Sequence, residues 1–96
     1  MRPHAAPPPK VTLVDKASNS ATVVEVRAHD EPGLPRRIGR ALGECGLNVL
    51  AARVETLGAE AVDVFYVTDS SGGLLTDPDL RKRTVNMVLA ALVPAA

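Results

Sequence analysis

Two β-rich runs, Leu47–Leu57 and Glu60–Thr68, are separated only by Gly58-Ala59, and no other feature of this 96-residue chain constrains its fold as strongly. A two-residue gap joins neighbouring strands as a hairpin, and glycine at the first central position suits a type II′ turn. Ahead of the hairpin, Leu34, Ile38, Ala41, Leu42 and Cys45 recur at helical spacing, with Arg36, Arg37, Arg40 and Glu44 off that stripe. Pro35 is tolerated in the first turn, where its missing N–H has no intrahelical partner, and Gly46 supplies the stop. Before the helix, Ala21–Ala28 reads as a strand, β-branched at Thr22, Val23, Val24 and Val26. Thr22, Val24, Val26 and Ala28 share one of its faces. The right-handed crossover rule then predicts Ala21–Ala28 parallel to Leu47–Leu57, with Glu60–Thr68 between them.

The flanking segments complete the pattern. Lys10–Asp15 reads as a short strand closed by the polar turn Lys16–Ser20. Asp69–Gly73 is a loop. Asp77 caps a last helix with Pro78 at its first position, and Leu80, Val85, Val88, Leu89 and Leu92 form its apolar stripe up to Pro94. The order is β-β-α-β-β-α. Without its first strand it falls one strand short of the βαββαβ ferredoxin-like unit. The Lys10–Asp15 strand, antiparallel beside Ala21–Ala28, fills the place of the missing last strand. The predicted class is α+β: one four-stranded antiparallel sheet with both helices on one face. Val64–Val67 is apolar on both sides, as a central strand requires. The face without helices is expected to carry Val23, Phe65 and Val67. Such a patch predicts a two-fold homodimer, or cover from a neighbouring repeat.

Composition removes several classes of function. Lysine plus arginine number 11 and so do aspartate plus glutamate, so no net field draws the chain to nucleic acid or anionic lipid. The aromatics are Phe65 and Tyr66, adjacent and on opposite faces, which is no platform for stacking bases. Arg36-Arg37, Arg40 and Arg81-Lys82-Arg83 read as solvated helix faces. No apolar run reaches membrane-spanning length. Cys45 is the only cysteine, so the reading is a reducing, cytoplasmic setting and a small hydrophobe on a helix face. His29 lies beside Asp30 with no nucleophile, and His4 has no ligand-spaced neighbours. No catalytic residue, metal or cofactor is therefore expected. Residues 1–9, with prolines at positions 3, 7, 8 and 9, read as an extended linker or added arm behind another domain. Residues 10–93 form the domain and 94–96 a short tail.

Several stretches resemble a known family. Thr22–Leu34, with its Ala28-His29-Asp30-Glu31-Pro32-Gly33-Leu34, looks like the first strand and ligand loop of ACT domains. Gly46-Leu47-Asn48-Val49 looks like the start of their second strand. Ala52–Gly58 and Val62–Asp69 are similar to a narrower group, the C-terminal ACT repeats of bifunctional uridylyltransferases that modify the PII nitrogen-signalling protein. The resemblance spans roughly Lys10 to Leu92. It implies a regulatory fragment that senses an amino acid, glutamine first, and reaches PII through a parent enzyme whose catalytic centres lie upstream. The alternative is an ACT-type dimerisation scaffold with a degenerate site.

The residues support a site on physical grounds. A loop ending at a helix N-terminus offers unpaired N–H groups and a dipole end to an anion. Gly33 lets a ligand carboxylate approach the backbone leading into Leu34, Asp30 can accept an α-ammonium, and Asn48 offers both a donor and an acceptor. The ligand-binding set read from the sequence is Asp30, Gly33, Leu34 and Asn48. Glu31 opposes a carboxylate and Pro35 withholds one donor, so weak binding is expected. Asp30–Gly33 also reads as a plain turn and Asn48 as a local backbone partner, alternatives the sequence leaves open.

Overall fold

The computed structural model describes residues 8–16 and 18–93, so the arm up to residue 7, His4 and the 94–96 tail lie outside it. Six elements run in the expected order: β1 (Lys10–Val14), β2 (Thr22–His29), α1 (Leu34–Glu44), β3 (Asn48–Leu57), β4 (Glu60–Thr68) and α2 (Pro78–Ala91). The sheet order is β1-β2-β4-β3, and every pairing is antiparallel. β2 and β3 are therefore parallel with β4 between them, as the crossover rule demands. β1 takes the edge beside β2, giving the ferredoxin-like sheet its fourth strand.

Local chemistry sets the element ends. Gly58 has φ 64 while no non-glycine residue among those described takes positive φ, the sign pattern of a type II′ rather than a I′ turn. α1 closes in a Schellman motif: Leu47 N–H donates to Leu42 O at 3.1 Å and Gly46 N–H to Gly43 O at 2.9 Å. Gly46 supplies the left-handed residue at φ 80. Leu47 and Leu42 are both buried, which adds the motif's apolar contact. At α2, Asp77 accepts from Asp79 N–H at 3.3 Å, and Pro78 opens the helix.

The core lies between the helices and one sheet face. Register pairs Thr22 with Val67, Val24 with Phe65, Val26 with Asp63 and Ala28 with Ala61, so these eight residues share the helix side. Val24, Val26, Phe65 and Val67 pack there with Leu34, Ile38, Leu42 and Val88. The expected bare-face patch is therefore corrected. Phe65 and Val67 face the helices at 2% and 0% exposure, because β4 enters register with Val24 opposite Phe65. Val23 is on the open side, but it too is buried.

The stripe on α2 is also corrected. Thr84 and Val88 are its buried residues, while Leu89 is exposed. Thr84 fits a core position because its hydroxyl donates to Leu80 O at 2.7 Å, one turn back. Two further ties fix the loops. Leu75 N–H donates to the buried Thr22 Oγ1 at 3.0 Å, and Arg81 forks onto Asp15 at 2.7 and 2.9 Å. That fork holds the Asp15 carboxyl below its ordinary value.

β3 stands apart from this packing. All ten of its residues are exposed, although all but Leu50 are in register with β4. Leu50 projects at a register shift between Val49 and Ala51, and it is 59% exposed. Val49, Val54 and Leu57 are exposed as well.

Candidate ligand site

The chain turns sharply after β2. Asp30 donates its N–H to Ala59 O at 2.8 Å, tying the loop to the β3–β4 turn, and Leu34 N–H reaches Glu31 O at 3.3 Å. Gly33 is the N-cap of α1 with φ 78, a conformation that strains any side chain. Space is not the constraint, because a Cβ there would meet nothing within 4 Å. The glycine serves the backbone angle and leaves the helix end open to approach. No side chain caps this end and Pro35 has no N–H. The Arg36 N–H is left without a backbone partner among the described residues.

Arginines gather beside this end. Gly33, Arg36, Arg37 and Arg40 line an open pocket of about 280 Å³. Arg37 is committed twice: Nη2 pairs with Glu31 Oε1, and Nε donates to Ala91 O at 3.0 Å, one of the last carbonyls of α2. Glu31 is thereby compensated, so the repulsion expected between it and a ligand carboxylate is offset. Arg36 and Arg40 are exposed and make no ion pair among the described residues. Free guanidinium groups next to a helix N-terminus suit a carboxylate. These arginines are exposed, as a solvated face requires, and they also border the open pocket.

The four residues expected to form the site do not all meet. Asp30 and Gly33 are exposed at the loop. Leu34 is 1% exposed with its side chain in the core, so only its backbone faces the loop. Asn48 is exposed, and its Nδ2 donates to Asp69 O at 3.1 Å, at the far end of the sheet. Parallel strands joined by a crossover put the end of β2 and the start of β3 at opposite ends. From Asn48 to Leu57 is nine steps, roughly 30 Å at strand rise. One chain therefore cannot close Asp30 and Asn48 on a single amino acid.

The sequence reading missed Asp63. It is 0% exposed, and neither Oδ1 nor Oδ2 has a hydrogen-bond partner among the described residues. It sits on the helix side of β4 between Val26 and Val54. Burial pushes its carboxyl above the usual 3.8, and the nearby charge of Asp30 pushes it the same way. The signal was present in the alternation Ala61, Asp63, Phe65, Val67, which places an acid in an otherwise apolar row. Asp69 moves in the opposite direction. The Ser71 hydroxyl and the Gly73, Ser71 and Gly72 amides hold its carboxylate below the ordinary value, as befits a turn-forming residue.

A family model described as ACT domain matches residues 22–83. The bifunctional uridylyltransferase/uridylyl-removing enzyme of Streptomyces coelicolor is 59% identical over 66 residues, 69% of this chain and 8% of that protein. The enzyme of the same name from Phenylobacterium zucineum is 41% identical over 87 residues, 91% of this chain and 9% of its own length. A third, from Pseudomonas putida, is 39% identical over 85 residues, 88% of this chain and 9% of that protein. The chain thus spans less than a tenth of the length of the curated relatives it matches. No helix among the described residues is long and apolar enough to cross a membrane.

Proposed function

Because this chain belongs to the ACT domain family, we propose that it is the glutamine-sensing regulatory module of an enzyme that modifies the PII nitrogen-signalling protein. The observation that carries this reading is the open N-terminus of α1, with Gly33 at its cap, beside Arg36 and Arg40. Amino acids share a carboxylate and an ammonium. A helix end with free guanidinium groups receives the first, and the negative charge of Asp30 at the mouth of the loop draws the second toward the site. The names of the relatives point to an enzyme that adds and removes uridylyl groups, and PII as the protein acted on comes from the family resemblance.

The site is completed by a second ACT unit. β3 is an edge strand with a full row of exposed residues, and Leu50, Val54 and Leu57 make it a poor edge to leave in water. Two β3 edges paired antiparallel bring Asn48 of one unit to the Leu57 end of the other. That is the end at which Asp30 joins the β3–β4 turn. Asn48 of the second unit and the Asp30–Gly33 loop of the first then border one cleft. In a longer protein the second unit is a neighbouring repeat; for this chain alone it is an identical copy.

A thermal-shift titration tests the reading. Glutamine at about a hundred times its dissociation constant should add roughly 2.7 kcal/mol of stability. Asn48→Ala should remove the shift, and Leu50→Asp should remove both the shift and the dimer seen by sedimentation. If wild type dimerises but shows no shift with tens of millimolar glutamine, the domain is a dimerising scaffold and the sensor reading fails.

A further inference from the structure

The orphaned carboxyl of Asp63 has no structural use in the isolated domain. A buried acid without partners opposes folding, and native proteins seldom keep one without a functional reason. Its surroundings offer no compensation. Across the sheet it meets Val26 and Val54, and α1 turns Leu34, Ile38, Ala41 and Leu42 toward the core. The buried residues of α2 are Thr84 and Val88, which carry no charge.

The charged groups of every neighbouring element are of the wrong sign, engaged elsewhere, on the open face of the sheet or exposed to solvent. Asp30, from the loop, is an acid whose charge acts on Asp63. On β2 and β4, Arg27 pairs with Glu25 and Glu60, and these lie in the register rows of the open face. Glu25 and His29 alternate onto that same face, as do Arg53 and Glu55 on β3. On α1, Arg37 is committed to Glu31 and Ala91 O, while Arg36, Arg40 and Glu44 are exposed. On α2, Arg81 is committed to Asp15, and Asp79, Lys82 and Arg83 are exposed.

The position nonetheless lies close to the edge of the sheet. Asp63 lies one strand in from the β3 edge, on the side that carries α1. Its edge neighbour Val54 is 49% exposed, so one side chain separates the row from solvent there. The same end of the sheet holds the Asp30 loop and the start of α1.

We propose that Asp63 is the buried anchor for the α-ammonium of the amino-acid ligand, which enters past Asp30 over the helix side of β3 beside Val54. The ammonium supplies the cation that the site lacks, and Asp63 becomes the fixed carboxylate that discriminates amino acids from plain carboxylic acids. This rests on the amino-acid-sensing reading above. Where the ligand-free carboxyl still holds its proton, the arriving ammonium drives that proton into solvent. Binding therefore releases a proton over the pH range in which Asp63 of the free protein is protonated.

The test compares glutamine with glutaramic acid, the same molecule without the α-ammonium, on wild type, Asp63→Asn and Asp30→Asn. Wild type should bind glutamine at least tenfold tighter than glutaramic acid. Asp63→Asn should bring the two within about threefold by weakening glutamine alone, a cycle that isolates the ammonium contact. Asp30→Asn should keep most of the discrimination. Calorimetry of wild type in two buffers of different ionisation enthalpy should show proton release with glutamine and none with glutaramic acid. This readout stands even if the variant does not fold. Carbon NMR of the Asp63 carboxyl sets the pH for that measurement. Equal binding of both ligands by wild type, or unchanged discrimination in Asp63→Asn, overturns the anchor while leaving the sensor reading intact. Absence of any glutamine binding overturns both.

Discussion

Asp63→Asn should make the ligand-free protein more stable relative to wild type as pH rises, and the gain should disappear on acidification. In the native state the carboxyl is fully buried with both oxygens unpaired. Burial and then the Asp30 charge raise it above the ordinary 3.8, near which the unfolded chain ionises. Below that value both states hold the proton and the residue contributes no pH dependence. Above it the unfolded chain has released its proton while the folded chain retains it. Wild-type stability then falls by about 1.4 kcal/mol for each pH unit until the folded carboxyl also ionises, where the loss levels off. For a domain of this size each such unit corresponds to roughly 6–11 °C in melting temperature. Asparagine has no proton to lose, so the difference between the two proteins isolates this one group. The amide still leaves polar atoms buried, a pH-independent cost of about 1–3 kcal/mol that offsets the curves without tilting them. Urea unfolding followed by circular dichroism, at fixed protein concentration and from pH 3.8 upward, measures both. Parallel stability curves, or a gap that widens toward acid, would rule out a raised native carboxyl, which can produce neither.

Two further substitutions test the ties that hold the loops. Arg37→Ala removes the link from Glu31 to the Ala91 carbonyl, and it should cost about 1–2 kcal/mol in urea unfolding while speeding amide exchange in the Glu31–Leu34 turn. Thr22→Val keeps the shape but leaves the Leu75 N–H without its acceptor; a loss of about 1–3 kcal/mol is expected, with no change in glutamine response.

An unsatisfied acid in a core row is a place where local rules and global fold disagree, and such conflicts concentrate at functional positions. The sheet's central strand would be more stable with valine in the row of Ala61, Phe65 and Val67. The balance changes when a cation arrives, which makes Asp63 a candidate for the residue that converts ligand binding into a change in domain stability.

The order of elements was legible because each rested on a local device. The two-residue gap at Gly58-Ala59 fixed a hairpin, Gly46 closed α1, and Asp77-Pro78 opened α2. The crossover rule then left one sheet order, and the structure has it. The Asp30–Gly33 loop was legible for the same reason, since Pro-Gly after a strand and before an apolar stripe defines a helix start. Facing and partnership were another matter. Phe65 and Val67 were assigned to the wrong side because alternation gives two faces, and only register against β2 says which one meets the helices. Thr84 is buried and Leu89 exposed because the helix rotates to bring a self-satisfied hydroxyl inward, which no hydropathy stripe encodes. Asn48 matches the family pattern in sequence, yet a parallel pair sets it at the opposite end of the sheet from Asp30. Caps, turns and periodicity act over a few residues, so what each segment becomes is written locally in the chain. Which side chains meet was decided by register and crossover, which act between residues far apart in the chain. That is why the Glu31–Arg37–Ala91 tie and the isolation of Asp63 appear only in the folded molecule.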